Sequence, residues 1–85
     1  MPEISRFLGI IIFILYDDHS PPHFHARYAE YEVSIEIDTG VITGTFPRRA
    51  LSLLLEWYLL NKDELYGDWE LAREHRPLKE IRPLE

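Results

Sequence analysis

FLGIIIFILY, residues 7–16, carries four isoleucines and no charged side chain, and the rest of the chain is organised around it. It shows no alternation of polar and apolar positions and runs into the turn cluster Asp17-Asp18. This predicts a strand buried on both faces, at the centre of a sheet. Ten residues are too few to span a bilayer. Glu3 stands before the run, and Asp17-Asp18-His19 follows it where a secretory signal has small cleavage-site residues. The expectation is a cytoplasmic protein with no membrane association.

Downstream, Val33, Ile35 and Ile37 alternate with Glu32, Ser34, Glu36 and Asp38, the pattern of a strand with one wet face. Ala29-Glu30 interrupts the stretch before it, so two strands are expected, about 23–28 and 31–37. Asp38-Thr39-Gly40 then provides a turn, and residues 41–46 complete a four-stranded antiparallel meander. Gly44 is the expected place of a bulge. Pro47 suits the first position of a helix over residues 47–60, whose leucines spread over more than one face. Asn61 is placed to cap a second helix, with Asp63 and Glu64 at its positive end and Leu65, Trp69 and Ala72 at helical spacing. Gly67 is a potential break in it. Residues 77–85, with prolines near both ends, read as an extended tail. The fold class is therefore α+β: a four-stranded meander, two helices and a tail.

Eighty-five residues, 46% hydrophobic and 13% aromatic, make a single folded domain over residues 1–85. Without cysteine there is no disulfide, thiolate metal site or thiol nucleophile, which leaves histidine as the strong ligand for soft metals. The net charge of −6 is spread evenly: four basic against seven acidic residues in 1–50, five against eight in 51–85. Neither half is a basic arm, so nucleic acid is disfavoured as a partner and a basic or amphiphilic one is favoured.

The chemistry concentrates in Asp17-Asp18-His19-Ser20-Pro21-Pro22-His23-Phe24-His25. On an extended chain His23 and His25 project from one face and Phe24 from the other, while the two prolines stiffen the approach. Three readings compete. As metal ligands, His23 and His25 join His19 or Asp18, a set suited to Zn, Fe or Ni. The spacing to Glu30 resembles the cupin motif, but the flanking glycines are missing and the only later histidine is His75. As catalysts, His23 and His25 act as acid and base on an RNA phosphodiester, with Arg48 or Arg49 at a helix N-terminus meeting the phosphate. As a contact surface, Asp18, His19 and Pro22 shape a loop for a partner without chemistry. Trp57 and Trp69 are either anchors in such a surface or, at helical spacing among leucines, core. The cofactor, if any, is unknown at this level.

The strings Pro2-x-Ile4-Ser5-Arg6-Phe7, Asp18-His19-x-Pro21-Pro22-His23-Phe24-His25, Ile37-Asp38-Thr39-Gly40, Pro47-Arg48-Arg49-Ala50 and Trp69-Glu70-Leu71-Ala72 together resemble a bacterial family catalogued as domain of unknown function 4160. The resemblance covers nearly the whole chain. It implies a small protein encoded beside a second small protein in a toxin–antitoxin-like arrangement, and so a protein partner or a second copy of itself more than a reaction.

Overall fold

The computed structural model describes residues 2–85. Five strands form one antiparallel sheet in sequential order: β1 Glu3–Phe7, β2 Ile10–Phe13, β3 His23–Tyr28, β4 Tyr31–Glu36 and β5 Ile42–Thr45. Two helices follow, α1 Arg48–Leu60 and α2 Lys62–Arg73. The class is α+β as expected, with one strand more.

The extra strand is β1, built mostly from residues ahead of the apolar run, and the run itself supplies Phe7, a turn and β2. The run does not cross the sheet as one central strand. It reverses at Leu8-Gly9, where both residues take positive φ (51° and 84°), as a two-residue hairpin loop requires. Phe7 then faces Ile10. Apolarity concealed the turn, because nothing but Gly9 marks it and leucine rarely adopts that conformation. The central strand is β3.

Ala29, also at positive φ, makes the expected tight turn between β3 and β4, where Tyr28 faces Tyr31. Gly44 does not form a bulge: it pairs in register with Val33. Glycine is needed there because φ is +111° and a Cβ would stand 2.5 Å from the carbonyl oxygen of Glu32. The irregular register lies instead between Glu3 and Ser5 on β1.

Pro47 sits just outside α1, and its carbonyl accepts the amide of Leu51. Asn61 does not cap α2 with its side chain. Its amide donates back to the carbonyl of Trp57, closing the end of α1. Helix α2 continues through Gly67, then ends on His75 at φ 58°. There the amides of His75 and Arg76 return to the carbonyls of Ala72 and Leu71, a Schellman closure with histidine in the place glycine usually takes.

One face of the sheet carries Ile10, Ile12, Phe24, Ala26, Val33 and Ile35, which pack with Leu54, Trp57 and Tyr58 of α1 and Leu65 and Trp69 of α2 in a single core. Each large side chain removed from water there contributes roughly 1.5–3 kcal/mol. The tail folds back to finish this core: Ile81 is buried, and its amide donates to the carbonyl of Ile4 on β1. The tail thus meets the chain's own sheet edge. The wide apolar stripe of α1 is covered by the sheet and by tail residues such as Leu84, while Leu59 and Leu60 stay 69% and 70% exposed. Among the described residues no helix is long and apolar enough to cross a membrane.

Candidate functional site

The loop between β2 and β3 leads to the start of the central strand, and its entrance is fastened to the end of α2. His75 approaches Asp17 at 2.7 Å, its ring lies parallel to that of Tyr16, and the Tyr16 hydroxyl donates to the carbonyl of Arg76. Asp17 takes positive φ, which turns the next residue inward. The Ser20-Pro21 peptide is cis, and the carbonyl of Pro22 accepts the amide of Ile37, so the loop re-enters the sheet already bonded.

Asp18 is the hub. Its Oδ2 lies 2.8 Å from His23 Nε2 and 3.0 Å from His25 Nε2, while Oδ1 accepts the amide of His19 at 3.0 Å and lies 3.1 Å from His19 Nδ1. His23 and His25 share one face of β3, as alternation requires. The His25 ring stacks on Phe13, its cross-strand neighbour, and that of His23 packs against Trp69 at 5.2 Å between centroids. Burial pushes the Asp18 carboxyl up, but the hydrogen bond from His25, the His19 amide and the charges of His23 and His25 outweigh it and hold the group below its ordinary value.

His23 has a further constraint. Its Nδ1 stands 2.8 Å from the carbonyl oxygen of Pro21. A carbonyl only accepts, so Nδ1 carries the hydrogen. This leaves Nε2 of a neutral ring without one, next to a carboxylate oxygen.

Of the ligands expected from the sequence, His23 and His25 converge and His19 does not. The His19 side chain is 84% exposed and reaches the outer oxygen of Asp18, not the Oδ2 on which His23 and His25 meet. Asp18, the alternative third ligand, takes its place: one donor atom each from Asp18, His23 and His25 lie within 4.8 Å of one another. Arg48 and Arg49 do not join them. Both are exposed at the start of α1, and Arg49 borders Tyr28 and Leu8, at the end of β3 opposite His23. Five residue steps of strand, about 16 Å, intervene. The tryptophans expected in a contact surface are buried, Trp57 under Phe7 and Phe24 and Trp69 under His23. Pro22 is half-buried. Phe13, which seats the His25 imidazole, was not legible as a site residue, because only strand pairing brings it there; Trp69, expected as a surface anchor or as core, is buried and seats His23 instead.

Comparison with curated proteins and with solved structures found no match. A family model described as Domain of unknown function (DUF4160) matches residues 9–70, a span that includes the whole hub, both histidines of β3 and all of α1. On that match, the chain belongs to the DUF4160 family.

Proposed function

We propose that this chain is a binding protein acting with a protein partner, as one half of a two-protein module of the toxin–antitoxin kind, and that residues 19–22 form its principal contact surface. One observation supports this most directly. Asp18 holds the loop from inside, while His19, Ser20 and Pro21 remain exposed. A loop already ordered in the free protein loses little conformational freedom on binding. Leu59 and Leu60 at the α1–α2 corner offer a second, apolar contact for the partner or another copy. The acidic surface favours a basic or amphiphilic partner.

Acid–base cleavage of RNA by His23 and His25 has less support. Both Nε2 atoms are engaged on Asp18, and Arg48 and Arg49 stand at the other end of the sheet.

The test is co-expression with the small protein encoded beside its gene, followed by size-exclusion chromatography with light scattering. A complex of defined stoichiometry that is lost in His19→Glu/Ser20→Arg supports the reading. A monomer that ignores its neighbour overturns it. Growth arrest on expressing either chain alone would then show which of the two is the toxin.

A further inference from the structure

We propose that Asp18, His23 and His25 form a binding site for one divalent first-row transition ion, ligated by Asp18 Oδ2 and by Nε2 of both histidines. Two imidazoles beside a carboxylate make a nitrogen-rich set that such ions prefer, whereas Mg²⁺ and Ca²⁺ favour oxygen ligands alone. The three side chains are only 9–15% exposed, so the ion is held largely out of water while solvent still reaches it.

His23 is the residue most fully prepared for a metal. Its Nδ1–H is fixed on the Pro21 carbonyl, and this outer hydrogen bond is the one that metal-ligating histidines use to set tautomer and ring orientation. The same bond directs a lone pair of the neutral ring, on Nε2, to within 2.8 Å of a carboxylate oxygen. Two electron-rich atoms at that separation need a cation between or beside them. A second proton on the imidazole meets the need, and so does a metal ion, which displaces that proton to solvent as it binds. His25 brings a second Nε2 to the same oxygen at 3.0 Å. Two donors of a tetrahedral zinc at about 2.05 Å from the ion stand about 3.3 Å apart. The two carboxylate–imidazole separations need to open by only about 0.3–0.5 Å to reach that value, and the three donor atoms already lie within 4.8 Å of one another.

Three protein ligands leave at least one coordination position open. His19, whose ring centroid is 5.4 Å from that of His23, borders the cluster on its exposed side, where water or a side chain of a partner would complete the shell. The site does not depend on the partner reading. A chain that binds metal and meets no partner would keep this inference and lose the other.

The experiment uses the full chain, stripped with chelator and dialysed. Titration with Zn²⁺ followed by calorimetry should give one ion per chain, uncompeted by hundredfold excess Mg²⁺, and Co²⁺ should develop visible d–d absorption. In ¹⁵N-histidine spectra, Zn²⁺ should shift Nε2 of His23 and His25 and leave the Nδ1–H of His23 in place, a readout needing no variant. Asp18→Asn and His25→Gln, checked for folding by circular dichroism, should weaken Zn²⁺ by more than about 100-fold, beyond a typical outer-shell loss. His19→Ala should weaken it by about tenfold or less. Absence of stoichiometric Zn²⁺ and Co²⁺ binding, or Zn²⁺ binding that leaves the Nε2 signals of His23 and His25 unmoved, overturns the proposal.

Discussion

Trp57 donates its indole N–H to the carbonyl oxygen of Arg82 at 2.8 Å, joining the last turn of α1 to the tail. Two further bonds hold the same segment: the Ile81 amide to Ile4 and the Lys79 amide to Asp68 Oδ1. The tail is thus an integral part of the core and covers the outer edge of β1. Deleting residues 77–85 removes the buried Ile81 and these bonds. The expected cost is about 3–5 kcal/mol, a fall in Tm of more than about 12 °C, with self-association through the bared edge. Thermal unfolding with light scattering checks it. Trp57→Phe, which loses the bond to Arg82 and leaves a cavity where the pyrrole half of the indole sat, should cost about 2–3 kcal/mol.

Asp18→Asn keeps the shape of the hub and removes its charge. The hydrogen bond from His25 and the close approach of His23 both depend on that charge, so the variant should be less stable by about 2–3 kcal/mol at pH 7. The folded carboxyl titrates below its ordinary 3.8. Its contribution is therefore fully present above that pH and is lost as pH falls through the lower folded value. Urea unfolding across pH should show wild type and variant converging in strong acid. Curves that stay parallel would mean that the charge is not what holds the loop.

Asp68 behaves in the opposite sense. Burial pushes its carboxyl up, opposed by the Lys79 amide and reinforced by nearby Glu64, and its Oδ2 is buried with no hydrogen-bond partner among the described residues. For an acid raised in the folded state, the stability present below the unfolded value of 3.8 is lost as pH rises through the folded one. Asp68→Asn keeps an oxygen for Lys79 and avoids a buried charge. It should raise Tm at pH 7, and the gain should vanish below about pH 4. A variant less stable than wild type at neutral pH would contradict this.

Gly44→Ala tests the close approach of β5 to β4. The new methyl group meets the Glu32 carbonyl oxygen, and alanine must hold φ near +111°. A loss of about 2 kcal/mol or more is expected, measured by chemical denaturation. A neutral substitution would show that the strand shifts freely.

Much of the fold was legible because its signals are local. The alternation from Val33 to Ile37, the turn at Ala29-Glu30, Pro47 before a leucine-rich helix, and Asp63 and Glu64 opening α2 each act within a few residues. The hairpin at Leu8-Gly9 escaped because a two-residue turn inside an apolar run changes no hydrophobic pattern. Asn61 misled for a related reason. Its amide can serve either helix end, and it closes α1 because the Trp57 carbonyl lies within reach.

The candidate site divides along the same line. By itself the sequence determined that His23 and His25 share a face, since strand periodicity allows nothing else, that thiol chemistry is absent, and which family the loop belongs to. Only the tertiary structure decided which third side chain meets them. Asp18 turns inward and His19 outward because Asp17 takes positive φ and because the end of α2 grips the loop entrance through His75. It also sent Arg48 and Arg49 to the far end of the sheet, buried both tryptophans and laid the tail on β1. These are contacts between residues tens of positions apart, set by how the core closes, and no local pattern encodes them.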